Sequence, residues 1–281
     1  MIYAMTLPTQ QRYALVTGGG SGLGRAFCRR LALDRWHVAC ADVDRAAAEQ
    51  TIAQLQEAGG SGQVEPLDVT DAAAWRALCD KLRREWPRLD LLVNNAGICA
   101  AGEIGTAPLE DFERVLDVNL RGVLVGCHTM IPWLKETAPG GHIVNIASIA
   151  GVLSAPAMGA YNISKAGVVS LSETLYAELR PVGIGVTVVL PGFFASELVS
   201  RGRFASEMHR RTAERYTQKA QITADKVVEH ALRAVQRGKL YATVGRRARW
   251  LWRLKRLAGT TLLRFAGQSY RRRLRKFEAG D

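Results

Sequence analysis

Two textures alternate along this 281-residue chain. Short apolar runs occur at 13–17 (YALVT), 37–42 (HVACAD), 64–68 (VEPLD), 89–95 (LDLLVNN), 142–148 (HIVNIAS) and 184–190 (IGVTVVL), with a last short candidate at 240–244 (LYATV). Longer stretches of helical spacing separate them. Runs that are apolar on both faces suit strands covered on both sides, and the stretches between are long enough for crossover helices. The pattern predicts an α/β fold, a doubly wound, mainly parallel sheet of the Rossmann type with right-handed crossovers. It places a short extension at 1–12, one domain at 13–244 with a lid at about 193–220, and a basic helical tail at 245–281.

Composition fits a packed domain of enzyme size, with 48% hydrophobic and 23% charged residues. The five cysteines (28, 40, 79, 99, 127) form no Cys-x-x-Cys pair, which favours reduced core thiols. The five histidines show no zinc-ligand spacing, so no metal is expected. Residues 1–12 do not resemble a secretory signal, and no run reaches the roughly 18 apolar residues of a spanning helix. A cytoplasmic location is expected, with peripheral membrane contact as an alternative.

The first strand runs into Thr17-Gly18-Gly19-Gly20-Ser21-Gly22-Leu23-Gly24 and then into a helical stretch. Glycines let the backbone turn tightly and approach a pyrophosphate, which the free amides of a helix start stabilise. A glycine cluster can also be an ordinary turn, and the Gly-x-x-x-Gly-x-Gly spacing departs from the usual dinucleotide fingerprint. Asp42 closes the second run, where an acid bonds the adenosine ribose hydroxyls. Its charge would repel a 2′-phosphate, so NAD is preferred over NADP. The alternative is a helix cap, a role Asp44 could fill equally well.

Downstream lie Asn94-Asn95-Ala96-Gly97, Asn119, Ser148 and Tyr161-Asn162-Ile163-Ser164-Lys165. Positions 161 and 165 share one helix face. A cation about 4 Å from a phenol contributes roughly 4 kcal/mol at an effective dielectric of about 20, worth about three pKa units before desolvation. Taken singly, such residues are more often caps, turns or half-buried side chains.

In order and separation, these motifs resemble the short-chain dehydrogenase/reductase family over about residues 12–245. The resemblance implies an oxidoreductase moving a hydride between a nicotinamide and an alcohol or carbonyl carbon. Tyr161 would be the acid/base, Ser148 would bond the substrate oxygen, Lys165 would also hold the nicotinamide ribose, and Asn119 would position a water. It places Gly18, Ser21, Gly22, Leu23, Gly24 and Asp42 on the cofactor. Asp68 and Val69 fall near the adenine, and Asn95, Ala96 and Gly97 along the cofactor. Pro191 and Gly192 fall beside the nicotinamide. Ser196 stands where the family often has Thr. A homodimer or homotetramer is implied. The rivals are a non-catalytic NAD-binding regulator or membrane-surface scaffold, and a nucleotide-sugar epimerase or dehydratase, whose glycine spacing differs.

Charge singles out the tail. Of a formal net +12, residues 245–281 hold twelve Lys/Arg against Glu278 and Asp281. At 100° per residue, Arg249, Arg253, Arg256 and Arg264 fall on one face, and Trp250, Leu254, Leu257, Ala258, Leu262 and Phe265 on another, with Trp252 and Gly259 weakening the pattern. Such a helix suits an anionic membrane surface, or packing on the domain or a second subunit. Nucleic acid ranks last, because no nucleic-acid module accompanies the arginines. Phe193, Phe194, Leu198 and Phe204 are either an apolar wall for an apolar or lipid-like alcohol or ketone, or lid residues packed on the domain.

Overall fold

The computed structural model describes residues 10–192, 194, 198–218, 220 and 222–278. β1 (Arg12–Thr17), α1 (Gly22–Leu33), β2 (Trp36–Asp42), α2 (Arg45–Glu57), β3 (Ser61–Pro66), α3 (Ala72–Glu85) and β4 (Leu91–Asn94) come first. A two-residue β5 (Ala100–Ala101), α4 (Leu109–Leu116), a π-helical turn (Asp117–Arg121), α5 (Gly122–Glu136), β6 (His142–Ile146), α6 (Ala150–Leu153), α7 (Gly159–Leu179) and β7 (Gly185–Pro191) follow. Then come β8 (Arg203–Phe204), α8 (Glu207–Gln218), α9 (Ala224–Gln236), β9 (Tyr241–Val244) and α10 (Arg246–Glu278).

Seven strands pair in the order β3-β2-β1-β4-β6-β7-β9, every pair parallel. This is the expected doubly wound α/β sheet. Adjacent residues of the central strands enter opposite cores: Leu15, Leu92 and Ile143 one, Val16, Val93 and Val144 the other. Side chains alternate along a strand, and helices cover both faces, so the runs are apolar throughout. Strand order changes direction between β1 and β4, and the crevice at their carboxyl ends is where sheets of this kind receive ligands.

Three strands escape the hydrophobic pattern. β3 begins at Ser61 rather than at 64, because it is an edge strand whose polar residues pair with β2, where the His37 ring meets Ser61 Oγ at 2.6 Å and Gln63 Oε1 at 3.0 Å. β5 and β8 pair over two residues each, too short to show a period.

The tail is helical, but its continuous stripe is corrected. Ala258 (φ −139°, ψ 45°) breaks α10, so an angle counted from 249 does not carry to 265. Trp252 turns inward, packing edge-on to Tyr241 at 5.0 Å between ring centroids, whereas Trp250 is 61% exposed. Among the described residues, no helix is long and apolar enough to cross a membrane. All five cysteines are buried and free.

Candidate active site

The glycine loop joins β1 to α1 at the carboxyl end of the sheet. Gly18 (φ +63°) and Gly22 (φ +48°) adopt left-handed backbone that disfavours any side chain. A Cβ on Gly24 would stand 1.9 Å from the Gly18 carbonyl oxygen, so the loop closes directly on the helix. Around Gly22, by contrast, a Cβ would meet nothing within 4 Å. Ser21 caps α1 without a side-chain bond, leaving the first-turn amides free to face an anion. A strained loop, open space and unpaired amides form a cradle that fits a dinucleotide pyrophosphate.

Neighbouring groups brace this cradle. Thr17 Oγ accepts from the amides of Asn95 (3.0 Å) and Ala96 (3.1 Å), and Asn95 Nδ2 donates to the carbonyls of Thr17 (2.9 Å) and Gly18 (3.1 Å). Asn95 thus turns its side chain into the loop. Asp42 Oδ2 accepts from Gly20 N at 2.8 Å and Oδ1 from Asp44 N at 2.9 Å. Capping of α2 belongs to Asp44, which accepts from Ala47 N at 3.1 Å, so Asp42 sits beside the loop with its carboxylate half-buried. Asp68 bends back onto Thr70 N (2.9 Å) and Oγ (2.8 Å). Val69 packs where a Cβ on Gly122 would lie 2.8 Å from it.

α7 buries a stripe of Tyr161, Lys165, Val168, Ser172, Leu175 and Leu179, at three- and four-residue spacing. Lys165 Nζ donates to the Ile146 carbonyl at 2.9 Å and lies 5.8 Å from the centroid of the Tyr161 ring. The Tyr161 phenol hydrogen-bonds Ser148, whose Oγ also accepts from Ala150 N at 3.1 Å. Asn119 is fully buried in the π-helical turn, accepting from Ile98 N at 2.8 Å and donating to Ile98 O (2.9 Å) and Ser164 Oγ (3.3 Å). Both its amide hydrogens are therefore taken by the wall of the site. A Cβ on Gly97 would stand 3.2 Å from Asn119 Oδ1 and 3.5 Å from Lys165 Nζ, so Gly97 separates the two. Contacts chain the four residues together: Ser148 with Tyr161, Tyr161 with Lys165, and Lys165 across Gly97 from Asn119.

Burial decides the charge states. It lowers Lys165 to about 8, which leaves the ammonium mostly protonated at neutral pH. It also pushes the Tyr161 phenol well up; the neighbouring Cys99 thiol adds to this, and the Ser148 hydrogen bond opposes it. The downward pull expected from the ammonium is not found on the phenol, which burial raises instead.

Pro191 ends β7 and accepts from Ile149 N at 2.9 Å, and Gly192 lies against Ala248 of α10. Ser196 and Phe193 lie outside the described residues, as do residues 1–9. Phe194 packs on the domain core, and Phe204 lies under the Arg210 guanidinium, 5.6 Å from its ring centroid.

The family model for short chain dehydrogenases matches residues 12–206. The chain belongs to the short-chain dehydrogenase family. The probable oxidoreductase EphD of Mycobacterium tuberculosis (strain ATCC 25618 / H37Rv) is 39% identical over 189 residues, 67% of this chain and 32% of that protein, so the chain spans about a third of that relative. Cyclopentanol dehydrogenase of Comamonas testosteroni is 33% identical over 190 residues, 68% of this chain and 76% of that protein. The crystal structure of a short-chain dehydrogenase/reductase from Burkholderia phymatum in complex with NAD matches with a TM-score of 0.83 at 31% identity, covering 88% of this chain and 93% of that one. The resemblance read from the motifs is borne out at the level of family and fold.

Three features of the site escaped the sequence. The Ile146 carbonyl holds Lys165, yet a main-chain acceptor leaves no residue-type signal. Cys99, read as a core thiol, is close enough to act on both Tyr161 and Lys165. Arg25 donates to the Gly20 carbonyl and, at 3.1 Å, to Thr51 Oγ, which places a cation against the loop.

Proposed function

We propose that this chain is a nicotinamide-dependent oxidoreductase, preferring NAD, that interconverts an apolar secondary alcohol and its ketone. The observation that carries this is a buried ammonium beside a buried phenol, itself bonded to Ser148, next to a glycine cradle. When bound, the nicotinamide supplies the hydride acceptor or donor.

Gly18, Ser21, Gly22, Leu23 and Gly24 would hold the pyrophosphate, and Asp42 the adenosine ribose hydroxyls. Asp68 and Val69 would flank the adenine. Asn95, Ala96 and Gly97 would line the middle, with Pro191, Gly192 and Ser196 at the nicotinamide end and Lys165 on its ribose. Tyr161 donates its proton to the carbonyl oxygen in reduction and takes the hydroxyl proton in oxidation, while Ser148 bonds that oxygen as charge develops. The Lys165 charge stabilises the phenolate. Asn119 braces the strand-end segment that faces the lysine, and this braced wall is where a water serving Lys165 would sit.

The alicyclic substrate in the Comamonas relative's name supports the apolar class. Exposed Leu124 on α5 and Ile163 on α7 support assembly as a homodimer or homotetramer through those helices. The test is absorbance at 340 nm across a panel of alicyclic and aliphatic alcohols and ketones with each nicotinamide cofactor. A signal with NAD and at least one apolar substrate is expected. Silence across the panel, with dinucleotide still binding, would favour a non-catalytic NAD-binding scaffold.

A further inference from the structure

The outer side of α10 is unaccounted for by the oxidoreductase reading. Residues 246–277 contain twelve Lys/Arg and not one Asp or Glu. Among the described residues, none of the exposed arginines 246, 247, 249, 253, 256 and 264 forms an ion pair. Large apolar side chains stand among them, with Trp250 61%, Leu257 87% and Phe265 69% exposed. Trp250 and Leu257 are seven residues apart before the break at Ala258 and share the outward face with Arg246 and Arg253. Beyond the break, Phe265 shares its face with Arg272 and Lys276.

The inner side of the same helix is anchored. Ala248 and Trp252 pack on the domain, and Lys255 donates to the Val152 carbonyl, four residues after Ser148. Tyr270 hydrogen-bonds His209 of α8 at 3.0 Å. The helix is therefore held against the wall of the candidate site with its arginine-rich side outward.

We propose that the outer face of α10 seats the protein on an anionic lipid bilayer. Arginines neutralise lipid phosphates while Trp250, Leu257 and Phe265 enter the boundary between headgroups and chains. Charge selects this occupant over a second copy of the chain, since an isologous contact would press two unpaired arginine faces together. Interleaved bulky apolar residues favour an amphipathic boundary over a purely phosphate surface. The proposal stands independently of the chemistry assigned to the site.

The test sediments the full chain with phosphatidylcholine vesicles, with and without phosphatidylglycerol. Pelleting with the anionic vesicles alone, weakened by added salt, is expected. The triple variant Arg249→Glu, Arg253→Glu, Arg256→Glu should lower partition roughly a hundredfold, at about fivefold per arginine. Trp250→Ser, Leu257→Ser, Phe265→Ser should lower it by at least about tenfold, with the melting temperature of both variants near that of the parent. Failure of the parent to pellet, equal pelleting with neutral vesicles, or parental partition by both variants would overturn the proposal. Retention on a DNA duplex or self-association through this face, without vesicle binding, would overturn it as well.

Discussion

Lys165 Nζ lies 5.8 Å from the centroid of the Tyr161 ring, and both side chains are buried. Spacing of four residues on one helix face produces this approach, and the Ile146 carbonyl fixes the ammonium within it. Burial disfavours the charged form of each group, drawing the lysine down to about 8 and the phenol up. On raising the pH, the lysine therefore loses its proton first.

That order predicts opposite pH profiles for the two directions of reaction. Proton delivery to a carbonyl needs the protonated pair, so kcat/KM for reduction falls above about pH 8, where Lys165 titrates. For oxidation, which needs a proton acceptor, it rises over the same interval. Initial rates in both directions check this, and profiles that move together contradict it.

Glycines 22 and 24 separate two kinds of requirement. Gly24→Ala places a Cβ 1.9 Å from the Gly18 carbonyl and should cost roughly 3 kcal/mol or more, or prevent folding. Gly22→Ala meets no neighbour within 4 Å, so its fold should survive at a cost of about 1–2 kcal/mol for the left-handed backbone. On the proposed reading the open space around Gly22 receives the pyrophosphate, so dinucleotide affinity should drop by more than about tenfold, a loss of over 1.4 kcal/mol. Melting curves with NAD titration distinguish the two, and parental NAD affinity in Gly22→Ala would refute the cradle.

On the proposed reading, Asp42 sets the coenzyme preference. Its carboxylate faces the loop through Gly20 N, and a 2′-phosphate beside it would be repelled. Asp42→Asn should lower the ratio of kcat/KM with NAD to that with NADP by at least about tenfold. Paired assays give the ratio, and an unchanged value would remove Asp42 from the ribose site.

Stability in acid should depend on His142. Thr187 Oγ donates to the Lys239 carbonyl at 2.8 Å, so its single hydrogen is used and His142 Nε2 donates to it at 2.9 Å. Burial lowers the His142 pKa from 6.5 to about 4. Between those values the unfolded chain binds a proton that the folded one refuses. Stability therefore falls as the pH drops through this window, by ~3 kcal/mol in all, and is unaffected by this group above it. Denaturant titrations at about pH 7 and about pH 4.5 should show a smaller difference for His142→Gln than for the parent. An equal difference would assign the acid sensitivity to other groups.

Legibility of the fold and the site followed from burial. Strands covered on both faces, such as 13–17 and 142–146, stand out as apolar runs, whereas β3 at the sheet edge opens with Ser61, Gly62 and Gln63, which carry no apolar signal. The Tyr161–Lys165 approach could be read because a helix converts a spacing of four into proximity. The Ile146 acceptor, the Asn119 clamp on Ile98 and the reach of Cys99 are products of tertiary placement, which spacing does not encode. The break at Ala258 resets the helical wheel for the residues after it, such as Leu262 and Phe265, and the inward turn of Trp252 onto Tyr241 is likewise set by tertiary packing.

The phenol of Tyr161 is the centre of the account, and Tyr161→Phe removes it while leaving the ring and the glycine cradle. Initial rates at 340 nm on a substrate found in the panel should fall by at least about a hundredfold, with NAD affinity nearly unchanged by fluorescence titration. Parental turnover in Tyr161→Phe would contradict the assignment.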